Sequence, residues 1–211
     1  MTIDRDDLLN SILASLGRIK HIELEDIPNI DLYMDQVTTF MDKKLKSTVR
    51  YPEEGKILTK TMINNYAKNN LLPPPVKKKY SKEHMILLIF IYYYKGILSI
   101  NDIQTLLKPV TERYFKAGGE ISLGMVYEEV FGLEREEVGS LREDIVKKFE
   151  ISQNTFQDAP KEDQEILQMF SFICMLSYDV YVKKLLIEKM VDSFGTAVAK
   201  EEKAGKPEKK G

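Results

Sequence analysis

The side chains best suited to binding chemistry in this chain of 211 residues are polar residues of a short predicted helix. They recur with helical spacing on one face, at Lys60, Thr61, Asn64, Asn65 and Lys68. An asparagine amide offers a donor and an acceptor together to an adenine edge, while lysine and threonine reach phosphates. The opposite face is apolar, with Met62, Ile63, Tyr66 and Ala67. An ordinary amphipathic helix with a solvated side would show the same pattern.

A second group of candidate residues follows the three prolines at positions 73–75, which stop the helix because proline lacks an amide donor. This group consists of Lys77, Lys78, Lys79 and Tyr80. On a loop or a small β-hairpin, these residues would hold a phosphate backbone. The alternative is a turn whose lysines only increase solubility.

Neighbouring residues must position these two groups. Thr59 is the expected N-cap of the polar-faced helix, since its hydroxyl can accept a bond from a first-turn amide. Leu71 and Leu72 would anchor the end of that helix on a core. Upstream, Leu32 to Leu45 is predicted to form another helix. Its inward side chains would be Tyr33, Val37, Phe40, Met41 and Leu45.

A strongly apolar segment, Met85 to Tyr94, comes next. It is too short for a membrane span, which needs about 20 apolar residues, so a buried core helix is predicted. Ser81 would cap this helix, and His84 would lie near the surface at its start rather than bind a metal. A shorter helix, Ile97 to Leu107, would follow, capped by Ser99 or Asn101 and closed by Pro109. Its inward residues would be Ile100, Ile103, Leu106 and Leu107.

This order of residues resembles the DNA-binding domain of the MerR family of bacterial regulators. It is still more similar to an uncharacterised family of Gram-positive (Firmicutes) proteins that share a MerR-like winged helix-turn-helix. The matching residues are Tyr66, Leu71, Leu72, Pro74, Lys78, Tyr80, Lys95, Gly96, Ser99 and Ile103. The resemblance implies a recognition helix, a basic wing and binding to double-stranded DNA.

The chain departs from the MerR pattern within the recognition helix. Thr61 and Asn64 stand where arginines are usual, and Asn65 stands where a second aromatic is usual. The turn before this helix is also long, because it contains the dozen residues from Ser47 to Leu58. The resemblance therefore implies the mode of docking rather than individual base contacts.

Charge is distributed unevenly along the chain, although the net charge is only −2. From Asp42 to His84 there are 11 basic and 4 acidic residues, a local balance of +7. The segments Met1 to Met41 and Thr111 to Phe194 have balances of −5 and −7. The basic island contains both candidate groups, as expected for a nucleic-acid interface.

The remaining segments predict further helices, at Ile3 to Ile22, Ser122 to Phe131, Glu134 to Glu150 and Lys161 to Phe194. The last of these is apolar on more than one face, which indicates either a homodimer interface or a self-contained helical core. A ligand pocket for a small-molecule effector is a further alternative, lined by Met169, Phe170, Phe172, Met175, Tyr178 and Tyr181. The polar tail, residues 195–211, is expected to be disordered.

Sequence signatures of catalysis are missing. There is no phosphate-cradling glycine loop, no His-Glu-x-x-His, no Cys-x-x-Cys and no Gly-x-Ser-x-Gly. The single cysteine, Cys174, lies in an apolar run and is predicted to be a buried small hydrophobe. We therefore expect neither an enzyme nor a bound metal or cofactor, and the cysteine content favours a cytoplasmic location.

Taken together, these patterns predict a mainly helical (all-α) protein with a small possible β-hairpin wing. Residues 1–110 would form N-terminal helices and a winged helix-turn-helix, residues 111–194 a helical dimerisation or sensing region, and residues 195–211 the tail. The predicted function is that of a DNA-binding transcriptional regulator. The alternative is a helical protein–protein interaction module on the same scaffold without DNA binding.

Overall fold

The fold is mainly helical with one small antiparallel sheet, as predicted. The computed structural model describes residues 5–16, 21–51, 53, 55, 57–116 and 118–204. In these residues the α-helices are α1 (Arg5–Leu16), α2 (Met34–Leu45), α3 (Lys60–Lys68), α4 (Lys82–Tyr94), α5 (Ile100–Tyr114), α6 (Leu123–Gln153) and α7 (Lys161–Ala204). The strands are β1 (Leu32–Tyr33) and β2 (Lys79–Tyr80). Short 3-10 turns lie at Leu24–Asp26 and Lys46–Thr48.

The two-stranded sheet joins the start of α2 to the segment before α4. Leu32 pairs with Tyr80 and Tyr33 with Lys79, in antiparallel register. The expected helix from Leu32 to Leu45 therefore begins two residues later than predicted. Because side chains alternate across a strand, Leu32 is buried and Tyr33 points outward at 54 % exposure, so the prediction of an inward Tyr33 was wrong.

Helix α4 is the centre of the core. Its residues are buried without interruption from His84 to Ile91. The long turn between α2 and α3 is tied to this helix at two points. Thr48 hydrogen-bonds the Tyr92 hydroxyl, and the Lys95 ammonium donates to the Ile57 carbonyl over 3.2 Å. The 14 residues at positions 46–59 can thus separate α2 from α3 while the turn stays attached to the core.

Helix α5 begins at the Ser99 cap, whose hydroxyl accepts from the Asp102 amide over 3.2 Å. The helix does not close at Pro109, as predicted, but carries this buried proline inside it and continues to Tyr114. Ile103 and Leu107 are buried as expected, whereas Ile100 is exposed. Helix α7 packs closely against α5 at Thr105, since a Cβ added at Gly195 would lie 2.6 Å from the Thr105 methyl.

The C-terminal helices are longer than predicted. One continuous helix, α6, replaces the two helices expected at Ser122 to Phe131 and Glu134 to Glu150. Helix α7 passes Phe194 and reaches Ala204, so the first part of the expected disordered tail is helical, while residues 205–211 lie outside the described part. Of the helix expected from Ile3 to Ile22, α1 covers Arg5–Leu16, and residues 1–4 and 17–20 also lie outside that part.

The chain divides into two compact units. One comprises residues 22–129 and 186–211, and the other comprises residues 1–21 and 130–185. In the second unit α6 and α7 pack through Phe149 and Phe172, whose rings meet edge to face with centroids 5.4 Å apart. Across the described residues, no helix is long and apolar enough to cross a membrane.

Candidate nucleic-acid interface

Helix α3 presents the polar face that the sequence predicts. Lys60, Thr61, Asn64, Asn65 and Lys68 are all exposed. The opposite face is anchored by Ile63 and Tyr66, which are buried, and burial raises the pKa of the Tyr66 hydroxyl. Thr59 caps the helix as predicted, because its hydroxyl accepts from the Met62 amide over 3.2 Å. The amides and ammonium groups of the outer face are therefore held on a fixed helix.

The basic segment after the prolines forms a tight two-residue hairpin. Val76 and Lys79 exchange backbone hydrogen bonds of 3.1 and 2.9 Å. Between them, Lys77 and Lys78 both have positive φ, at 49° and 64°. Positive φ at both central residues is the signature of a type I′ turn, which normally uses asparagine and glycine. Two exposed lysines instead occupy a conformation that costs a non-glycine residue roughly 1–2 kcal/mol.

The last two residues of the basic segment face opposite ways. Lys79 points outward, and its ammonium lies 5.2 Å from the centre of the exposed Tyr33 ring. Tyr80 is buried at 3 % exposure, and burial raises the pKa of its hydroxyl. Tyr80 is thus part of the core beneath this hairpin, which we call the wing. The prediction that Tyr80 lies on the surface with the three lysines was wrong.

The two halves of the basic surface meet at the start of α2. Asp35, in the first turn of α2, forms a 2.5 Å ion pair with Lys60 at the start of α3. Two residues earlier, Tyr33 pairs with Lys79 of the wing. We use the name basic face for the exposed polar residues of α3 together with Lys77, Lys78 and Lys79.

His84 lies beneath the wing and is buried at 2 %, not near the surface as predicted. Its Nδ1 accepts a hydrogen bond from the Ser81 amide over 3.0 Å, and this bond caps the first turn of α4. The ring packs edge to face against Phe115 and Tyr80. Its Nε2 is buried as well. Burial lowers the pKa of His84. The backbone of Pro74 and Pro73 and the negative charges of Glu83 and Asp31 act in the opposite direction and raise this pKa, but by less.

A small groove of about 330 Å³ lies between the end of α3 and α5. Its lining residues are Asn70, Leu71, Gln104, Leu107, Lys108, Thr111 and Glu112. Gln104 also donates to the Asn69 carbonyl over 3.1 Å, so α5 contacts the segment that ends α3.

The residues considered for an effector pocket in α7 do not share one side of that helix. Phe172 is buried, whereas Phe170, Tyr178 and Tyr181 are exposed. Cys174 is exposed as well, so the prediction that it is a buried hydrophobe was wrong. Sequence reasoning also missed Tyr33 as a surface residue, because only its pairing with a strand 46 positions later reveals its orientation.

Comparison with known proteins gives one family. No curated protein and no solved structure matches the chain. The profile described as "Domain of unknown function (DUF1836)" matches residues 22–130, more than half of the chain. This match covers every residue of the basic face and nearly coincides with the continuous segment 22–129 of one compact unit. The chain therefore belongs to the DUF1836 family.

Proposed function

We propose that this protein is a DNA-binding transcriptional regulator of MerR-like type from a Gram-positive bacterium. Helix α3 would lie in the major groove, with Asn64 and Asn65 at base edges and Lys60, Thr61 and Lys68 at phosphates. The wing lysines, Lys77, Lys78 and Lys79, would hold the sugar–phosphate backbone.

The observation that carries this proposal is the conformation of the wing tip. Lys77 and Lys78 have left-handed backbone angles that asparagine and glycine adopt at lower cost. Strain of this kind tends to cluster at functional sites, where it forms part of the mechanism. Two adjacent ammonium groups at the end of a rigid hairpin are well placed for neighbouring phosphates.

The location of charge supports the same proposal. The segment Asp42 to His84 carries a local balance of +7, while the whole chain carries −2. The α3 face and the wing both fall inside this segment. Such a concentrated positive footprint is typical of a nucleic-acid interface.

We also propose that the protein acts as a homodimer through α7. The outer side of this helix exposes large apolar side chains at Ile166, Phe170, Ile173, Tyr178, Val180, Tyr181 and Leu185. Acidic Glu162 and Asp163 precede this stripe, and Lys183 and Lys184 lie at its other end. Antiparallel pairing about a two-fold axis would bury the stripe and bring opposite charges together.

The same exposed stripe favours a second candidate function, a protein-interaction module without DNA binding. In that case a different protein would cover α7, and the polar face of α3 would only be solvated. The absence of arginine from α3 agrees with this candidate. The groove beside α5 is a candidate location for a small-molecule effector in either case.

The test is selection of bound sequences from a random duplex library at physiological salt, followed by a salt titration. We expect enrichment of a palindromic motif, because a symmetric dimer reads two half-sites. If all five lysines of the basic face contact phosphate, the log–log salt slope should be about −4.5 per protomer. A folded protein that enriches no sequence and binds no duplex would overturn the proposal and favour the interaction module.

A further inference from the structure

We infer that Tyr33 is an additional DNA-backbone contact that links the recognition helix to the wing. This inference rests on the proposed DNA binding and adds a residue to the same face. Tyr33 stands 27 positions before Lys60, where the sequence pattern places it inside a helix and facing the core.

The sheet register determines where the Tyr33 side chain points. Tyr33 is directly opposite Lys79, so both side chains project from the same face of the two-stranded ladder. Their neighbours Leu32 and Tyr80 project from the other face and are buried. Tyr33 therefore shares the outward side of the wing with a lysine of the basic face.

Tyr33 is also held from its other side. Its backbone N–H donates to the Gln36 side chain over 2.8 Å at the start of α2. Two residues later, Asp35 binds Lys60 over 2.5 Å. Tyr33 thus lies between the wing strand, with which its backbone pairs, and the first turn of α2, whose Asp35 binds Lys60 at the start of α3.

The chemistry of Tyr33 suits a phosphate. Its ring is more than half exposed, and the Lys79 ammonium lies 5.2 Å from the ring centre. A cation held over an aromatic ring is ordered before its partner arrives, so less side-chain freedom is lost on binding. The phenolic hydroxyl can donate to a phosphate oxygen, as tyrosine commonly does at DNA backbones. The pair would act as one unit, in which Tyr33 donates a hydrogen bond and orients the charge of Lys79.

The experiment measures duplex affinity of the full chain across a salt series by fluorescence anisotropy, for wild type, Tyr33→Phe, Tyr33→Ala and Lys79→Ala. Tyr33→Phe removes one hydrogen bond to a charged group, so affinity should fall about 10-fold with an unchanged salt slope. Lys79→Ala should make the slope less negative by about 0.9, because one phosphate contact is lost. Tyr33→Ala should weaken binding more than Tyr33→Phe and also reduce the slope.

Tyr51→Phe is the matched control. Tyr51 is exposed, and the Arg50 guanidinium lies 5.2 Å from its ring centre, so it reproduces the local chemistry of Tyr33 outside the wing. Thermal unfolding of each variant separates loss of binding from loss of fold. Wild-type affinity in Tyr33→Phe, or an equal loss in Tyr51→Phe, would overturn the inference while the proposed function stands. A wild-type protein without duplex affinity would overturn both.

Discussion

The wing tip, formed by Lys77 and Lys78, should increase DNA affinity but lower the stability of the fold, and a double substitution tests this directly. In Lys77→Asn/Lys78→Gly, the two positive-φ positions receive the residues that a type I′ turn prefers. Relief of left-handed strain gains about 1–2 kcal/mol at the new glycine, and the added freedom of this glycine offsets about 0.5–1 kcal/mol. Asparagine tolerates the left-handed conformation better than lysine and adds a smaller gain. The net gain in the free energy of unfolding should be about 1 kcal/mol, which raises the Tm by about 2–4 °C for a chain of this size.

The same substitution should weaken DNA binding strongly. Each phosphate contact multiplies the binding constant by the molar salt concentration raised to about −0.9, which is about fivefold at 0.15 M. Loss of two contacts should therefore lower affinity by about 30-fold and make the salt slope less negative by about 1.8. The protein would become more stable and less able to bind.

Differential scanning fluorimetry and anisotropy titrations on the same preparations measure both quantities. Lys77→Ala/Lys78→Ala removes the charges but keeps the strain, so it should lose affinity without the gain in Tm. Lys147→Ala/Lys200→Ala removes two exposed lysines outside both the basic face and the apolar stripe of α7, and should change neither. Retained affinity in the asparagine–glycine variant would refute the argument that the strained turn serves phosphate binding. An unchanged Tm would refute the strain itself.

Three other predictions concern separate parts of the chain. Asn64→Ala should broaden the selected DNA motif, whereas Lys78→Ala should weaken all sequences by a similar factor; identical selection profiles and affinities would contradict both assignments. In a homodimer paired antiparallel near Cys174, a short bis-maleimide should cross-link wild type. It should not cross-link Ile166→Cys in a Cys174→Ser background, because the copies of position 166 in the two protomers would lie about 24 Å apart. Cross-linking in both proteins would indicate parallel pairing. Because burial lowers the pKa of His84, the unfolded chain takes up this proton first as the pH falls. Neutral His84 therefore makes its full contribution to the free energy of unfolding above pH 6.5, its ordinary pKa. This contribution is lost as the pH falls from 6.5 to the lower pKa of His84 in the folded protein. His84→Asn should reduce the slope of Tm against pH in that window, and an equal slope would exclude His84 as its source.

Local patterns allowed much of the basic face to be predicted from the sequence. The Thr59 cap and the inward Ile63 and Tyr66 follow from contacts three or four residues apart, so one short window contains all the information. The burial of Leu71 and Leu72 follows from their position just after the helix. For the same reason the five exposed residues of α3 could be predicted from the sequence alone.

Features that depend on distant pairing could not be predicted. The outward direction of Tyr33 requires its register with Lys79, and no local pattern encodes a two-residue strand. The burial of His84 requires Phe115 and the prolines before the wing. Cys174 lies in an apolar run that suggests a core, but the outer side of α7 has no covering element in the described chain.

The two candidate functions depend on different segments, which makes them separable. Every residue of the basic face lies within the 22–130 match to the family, whereas the exposed apolar stripe of α7 begins at Ile166. A substitution in the wing tip should therefore alter DNA affinity without changing the stripe. A charged substitution such as Phe170→Glu should alter self-association without changing the basic face. If Phe170→Glu yields a monomer that still binds one half-site weakly, the basic face is sufficient for contact and dimerisation supplies the affinity for a palindrome. If the wing-tip variants keep wild-type DNA affinity while Phe170→Glu abolishes every measurable interaction, the segment that carries the basic face serves as a scaffold and the function of this chain lies in α7.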